Sequence, residues 1–163
     1  MQNSSMSDLL GEFEVRLDSK GRFKLPSGLK RQLPPSVRQF VITRGFEECL
    51  MLYPWDEWEK INARLKKLNE FKKDNRDFLR YFKRGANYME LDGTDRLLIP
   101  KQLKEHASIE QDIVLASQNQ MIEIWDRNKY YEYTEEADPD QFAELAEKVM
   151  GQENMFDDED EQG

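Results

Sequence analysis

The chain has 163 residues, 24 Lys+Arg against 33 Asp+Glu and a formal net charge of −9, which suits one or two small acidic domains and, taken whole, argues against nucleic acid. With 38% hydrophobic and 35% charged residues, its core is small or divided. No apolar run approaches the roughly 18 to 20 residues of a membrane helix and no signal-peptide core opens the chain, while a single cysteine, Cys49, and a single histidine, His106, leave no internal disulfide and no usual zinc cluster; a cytoplasmic protein without cofactor, membrane or small-molecule substrate is expected.

In chain order, residues 12 to 17 alternate with Phe13, Val15 and Leu17 on one face. Asp18-Ser19-Lys20-Gly21 is a turn with Gly21 available for positive φ, and Arg22 to Leu25 is a second short strand, so the segment reads as a hairpin with an Asp-to-Arg link across its turn. Pro26-Ser27 precede a helical turn or two that Pro34-Pro35 stop. Phe40 to Thr43 and Leu50 to Tyr53 flank a Gly-containing loop as a second hairpin. Between Arg16 and Arg44 there are eight bases (Arg16, Lys20, Arg22, Lys24, Lys30, Arg31, Arg38, Arg44) and one acid, Asp18, or +7 over 29 residues. Such clustering is the electrostatic footprint of phosphate binding, with a solvated basic face as the alternative. After Pro54, the spacing of Trp58, Ile61, Leu65 and Leu68 predicts a helix, and a second covers Phe78, Leu79, Phe82 and Ala86. The insert from Glu57 to Asn87 adds ten bases and five acids. Its aromatic face, Trp55, Trp58, Phe78, Tyr81 and Phe82, reads as core, with part of it open to a neighbouring subunit.

The chain then repeats itself. Shifted by 74 positions, Leu17 to Pro26 lies over Leu91 to Pro100 in the shared pattern L-D-x-x-x-R-Φ-x-Φ-P, and Phe40 to Thr43 lies over Val114 to Ser117. After a loop shorter by two, Cys49 to Tyr53 lies over Met121 to Trp125, and Trp58 over Tyr130. Two units of about 45 residues imply a tandem duplication. Neither buries enough surface to offset its chain entropy alone, so the expected fold is mainly β with helices (α+β), two interlocked repeats making a pseudo-twofold β-barrel. The expected divisions are 8–54 and 88–131 for the repeats, 55–87 for a helical connector and 132–163 for an acidic C-terminal segment.

That last segment holds thirteen acids and one base, Lys148, so it carries −12 and the other 131 residues carry +3. Phe142, Leu145, Val149 and Met150 predict a short amphipathic helix, and the acidic run from Asp157 reads as a disordered tail. Such a tail would compete with DNA for the basic face.

Several segments together, Leu9 to Phe13, Leu17 to Pro26, Thr43-Arg44-Gly45, Leu52-Tyr53-Pro54, Trp58, Asp92…Arg96…Ile99-Pro100 and Ile124-Trp125-Asp126, resemble the MraZ family over roughly residues 8 to 135. The resemblance implies two AbrB-like swapped-hairpin units in one chain, and a bacterial, nucleoid-associated regulator of the division and cell-wall gene cluster. It further implies a ring-shaped homo-oligomer, commonly an octamer, that binds direct repeats in promoter double-stranded DNA. The family's D-x-x-x-R residues fall in its DNA-binding surface, and the matching positions are Asp18 and Arg22, then Asp92 and Arg96. The second motif departs from the family pattern, because Asp95 stands where Gly21 stands in the first. A carboxylate there is expected to repel phosphate and compete for the Arg96 guanidinium.

Arg22 is the leading candidate, since its planar fork of donors spans two phosphate oxygens or the O6/N7 edge of guanine. Asp18 either holds that fork in one rotamer or merely pins the hairpin, and both can hold. Lys20, Lys24, Lys30 and Arg31 suit phosphates, which position without reading sequence, and Arg16 is a further DNA-binding candidate. The competing reading is an interaction or antitoxin-like module whose acidic tail binds a protein. An enzyme is not expected, since no nucleophile, base or phosphate-loop grouping is present. His106 reads as a surface or interface residue and Cys49 as a small buried hydrophobe.

Overall fold

The structure is a computed structural model, described here for residues 8–135 and 138–153; the acidic run from Asp157 lies outside the described residues. The described residues divide into two compact units, one up to Arg127 and one from Asn128.

Among the described residues, the first unit contains eight strands and four helices. Its elements are β1 (Glu12–Arg16), β2 (Arg22–Lys24), α1 (Ser27–Lys30), β3 (Gln39–Arg44), β4 (Leu50–Pro54), α2 (Trp55–Leu65), α3 (Lys73–Lys83), β5 (Asn87–Glu90), β6 (Arg96–Leu98), α4 (Lys101–His106), β7 (Asp112–Gln118) and β8 (Met121–Asp126). Six strands form one antiparallel sheet in the order β1-β7-β8-β4-β3-β5, and β2 pairs with β6 alone. Exchanging each strand for its repeat mate (β1 for β5, β2 for β6, β3 for β7, β4 for β8) turns that order into its own reverse. The pseudo-twofold is therefore real at the level of topology, and it runs between the two self-paired couples, β4 with β8 and β2 with β6.

Pairing also shows how the repeats interlock. β1 pairs not with β2 but with β7 of the other repeat, and β5 pairs with β3. The expected first hairpin is thus a tight turn whose two strands diverge into different sheets, while β3–β4 and β7–β8 are true hairpins. Strand pairing does not close a barrel. β1 and β5 are edges of the six-stranded sheet, and the β2–β6 ladder lies across one face because the turns at Asp18 and Asp92 swing the chain out of the sheet.

The register corrects the repeat alignment by one residue. Phe40 pairs with Pro54 and Ile113 with Asp126, while Leu17 N–H donates to Gln111 O and Leu91 N–H to Arg38 O. Phe40 is thus the mate of Ile113, not Val114. A run buried on both faces has no polar alternation to fix its phase, so sequence comparison slides by one.

Between the sheet and the ladder lies the main core, with Phe23 and Leu97 from the ladder against Phe40, Ile42, Leu52, Ile113, Leu115, Ile122 and Ile124 from the sheet. Period-two alternation sends Val41, Met51 and Tyr53 to the other face, where Trp58 joins them and Trp55, Ile61 and Phe82 pack at the margin. The Trp58 and Phe82 rings stack with centroids 5.9 Å apart. Tyr81 and Phe78 of the expected aromatic face remain exposed. Pro54 ends β4 and caps α2, whose first turn carries Asp56 and Glu57 at the positive end of the helix dipole.

The second unit holds helix α5, entered from Arg127 and ending at Glu135, and α6 (Pro139–Glu153). The predicted amphipathic helix is present as α6, with Phe142, Leu145, Val149 and Met150 exposed.

Candidate nucleic-acid interface

Both D-x-x-x-R motifs build the same backbone. In the first, Asp18 N–H donates to Arg22 O at 2.8 Å and Gly21 N–H to Asp18 O at 3.0 Å; in the second, Asp92 N–H donates to Arg96 O at 3.0 Å and Asp95 N–H to Asp92 O at 3.0 Å. Closing so tight a turn requires one left-handed residue, filled by Gly21 (φ +84°) in one copy and Asp95 (φ +61°) in the other. Aspartate is among the few non-glycine residues that tolerate this conformation. The turns sit at opposite ends of the β2–β6 ladder, since Ile99 N–H donates to Gly21 O and Leu25 N–H to Asp95 O.

Asp18 organises the first turn. Its Oδ1 accepts the backbone N–H of Lys20 and of Arg22, and its Oδ2 accepts Arg22 Nε, all at 2.8–2.9 Å. The carboxyl is held below the ordinary aspartate pKa chiefly by the Arg22 backbone N–H, with the Arg22 guanidinium and Lys20 N–H adding to it against partial desolvation. One edge of the Arg22 fork is thereby fixed, and Nη1 lies 3.8 Å from Asp92 Oδ2. Arg22 thus bridges the two motifs, which the sequence separates by seventy residues.

The second turn is wired differently. Asp92 Oδ1 accepts the N–H groups of Arg96 and Thr94 and the Thr94 hydroxyl, which together hold its pKa down. Arg96 Nη1 donates to Thr94 Oγ1 at 2.8 Å rather than to either aspartate. Asp95, expected to compete for Arg96, instead takes Lys30 Nζ and, at 3.4 Å, Arg38 Nη1, and Lys30 is the main cause of its lowered pKa. Arg38 also donates to the carbonyls of Leu91 and Asp92.

Of the remaining expected cations, Arg16 lies 3.6 Å from Asp112 Oδ1 and donates to Gln111 Oε1. Lys20, Lys24 and Arg31 are exposed and make no side-chain ion pair among the described residues. Lys24 stands opposite Arg96 in the ladder, so two cations share one register position. Sequence reasoning missed Lys104 on α4, whose Nζ lies 3.8 Å from where a Cβ on Gly21 would sit. The repeat held the signal, because Lys104 is the mate of Lys30 at the 74-residue shift.

Other chemistry-bearing groups lie apart from the turns. Cys49 is buried, and desolvation together with Glu123 pushes its thiol up to about 12, so it keeps its proton beside Glu47 and Glu123. His106 is half-buried, and its Nε2 has no hydrogen-bond partner among the described residues.

A family model described as "MraZ protein, putative antitoxin-like" matches twice, over residues 9–81 and 82–153. The chain is 48% identical over 152 residues to a protein of Christiangramia forsetii named "Transcriptional regulator MraZ", covering 92% of this chain and 97% of that one. Proteins of the same name from Flavobacterium psychrophilum and Caldanaerobacter subterraneus subsp. tengcongensis are 46% and 40% identical, over 94% and 86% of this chain and 98% and 96% of theirs.

Proposed function

Since the chain belongs to the MraZ family, we propose that it is a transcriptional regulator that binds promoter double-stranded DNA at direct repeats, in the cytoplasm on the nucleoid, as a ring-shaped homo-oligomer. Its target is the division and cell-wall gene cluster. The names of the relatives support the regulatory role, and the observation that carries the DNA reading is the first turn. There an arginine is held by its own aspartate, with Lys20 in the same turn and Lys104 beside Gly21, neither lysine having an acidic partner among the described residues.

The division of labour follows from side-chain chemistry. Arg22, with the Nε edge of its fork fixed by Asp18, exchanges the longer 3.8 Å approach of Nη1 to Asp92 for a guanine edge or a phosphate pair. Lys20, Lys24 and Arg31, with Lys104, take phosphates and set position. Arg16, Lys30, Asp92 and Arg96 belong to the same surface but carry partners of their own. Four neutralised phosphates give a log–log salt slope of about −3.6 per subunit by counterion release. One subunit then binds weakly, and several turns meeting several repeats gain effective concentration. The −9 net charge is no obstacle, because it sums a −12 C-terminal segment with a +3 body.

The test is a mobility shift of full-length protein on the region upstream of its own gene. Arg22→Ala abolishes the repeat-specific shift; unchanged affinity would overturn the assignment. A second reading, an antitoxin-like interaction module, draws on the exposed apolar stripe of α6, Phe142, Leu145, Val149 and Met150. Partner capture that needs residues 132–163 and ignores DNA would favour it.

A further inference from the structure

The pseudo-twofold makes the two turns comparable atom for atom, and they differ in a way the duplication alone does not require. Each turn lies under a lysine from the short helix of the other repeat: Lys104 of α4 over the first, Lys30 of α1 over the second. At the left-handed position the first turn has no side chain, and Lys104 has no acidic partner among the described residues. The second has Asp95, whose two oxygens engage Lys30 and Arg38. Arg38 itself has no cationic counterpart, since the register makes Gln111 its mate. The second turn thus has two more cations nearby than its own Arg96, and one carboxylate holds both.

We propose that Asp95 is a specificity-determining residue that silences the second turn toward DNA, leaving the first turn, with Gly21 and Lys104, as the single reading head of each subunit. The inference rests on the DNA-binding reading above and says which half of the surface does the binding. Three physical consequences of Asp95 act together. Its charge repels the phosphate that Lys30 and Arg38 would otherwise attract. Its hydrogen bonds occupy donors that phosphate oxygens need. Its left-handed backbone fits the turn, so the clamp costs the fold little. Arg96, its guanidinium turned onto Thr94, does not replace them. A subunit with one head meets one direct repeat in one orientation. A subunit with two equivalent heads at the ends of a twofold-related ladder would read inverted sites equally well.

The test uses full-length protein and a fluorescent duplex of its own upstream region, with a random duplex of equal length, across 50 to 200 mM salt. Asp95→Gly and Asp95→Asn both bind more tightly than wild type at low salt. Each freed cation that takes a phosphate steepens the salt slope by about 0.9, so two add about 1.8, and the variants' advantage shrinks roughly tenfold over that salt range. Adding Lys30→Ala and Arg38→Ala removes the gain. The reciprocal change, Gly21→Asp, places a carboxylate beside Lys104 Nζ and weakens binding more than Gly21→Asn, which adds the same shape without the charge. Unchanged affinity and slope for both Asp95 variants, in a protein whose binding still depends on Arg22, would overturn this inference and leave the functional proposal standing. Absence of wild-type binding at low salt would overturn both. Asp95→Asn keeps the left-handed turn, so a folding defect in the glycine variant does not remove the test.

Discussion

Phe23 and Leu97 are direct partners at the centre of the β2–β6 ladder, one from each repeat, and each is 1% exposed. If the repeats share one core, removing either side chain destabilises both halves together. Phe23→Ala takes out a fully buried ring and costs about 3–5 kcal/mol, a large part of the roughly 5–15 kcal/mol that holds a typical domain folded. At about 2–4 °C per kcal/mol for a chain of this size, the melting temperature falls by about 6–20 °C. Because the alanine pair would leave little stability to measure, the informative cycle uses Phe23→Leu and Leu97→Val, followed by urea unfolding at fixed protein concentration. Facing core residues couple by about 0.5–3 kcal/mol, so the double variant departs from the sum of the singles by at least that lower value. Additivity within about 0.3 kcal/mol, or two separate unfolding transitions in the first unit, would refute the interlocked core.

Three further outcomes are expected. Cys49, with its thiol at about 12, stays unmodified by iodoacetamide at pH 8 in native protein and reacts on denaturation; fast native labelling would contradict its burial. His106 is held below the ordinary histidine pKa by burial and by Arg44, with Arg84 acting the same way and Glu48 opposing. The unfolded chain therefore takes up the proton first, so stability is full above about pH 6.5 and declines as pH falls from there toward the folded pKa; His106→Gln flattens that part of the urea-midpoint profile, and an unchanged profile would count against it. Gly45→Ala drives a Cβ into the Cys49 Sγ, whereas a Cβ added at Gly93 meets nothing within 4 Å; thermal melts should show a clear loss for Gly45→Ala and near-wild-type stability for Gly93→Ala.

Much of this architecture was legible in the sequence because its strongest local signals coincide with its repeat. The turn position and the proline ahead of each short helix follow from covalent geometry and recur 74 residues apart, and the alternation of Phe13, Val15 and Leu17 marks the first strand. What escaped is what only three dimensions supply. Phase was lost at β3 and β7, where both faces are buried and an apolar run looks the same shifted by one. Lys104 gave no local signal, because its place over Gly21 exists only once α4 of one repeat packs beside the turn of the other. Asp95 was visible as a foreign charge, but its partners were not. It takes Lys30 and Arg38, 65 and 57 residues away in sequence, and leaves its neighbour Arg96 to Thr94.

The most direct measurement of the central claim is the salt dependence of binding by wild type, Arg22→Lys and Arg22→Ala to duplexes carrying one, two and four copies of the upstream direct repeat. Affinity should rise with repeat number, with a slope near −3.6 per subunit for wild type. Arg22→Lys should keep most of that slope while losing the preference for the repeat over random sequence, because it keeps the charge and loses the fork. Equal affinity for repeat and random duplexes in wild type, or a repeat preference that survives Arg22→Ala, would contradict it.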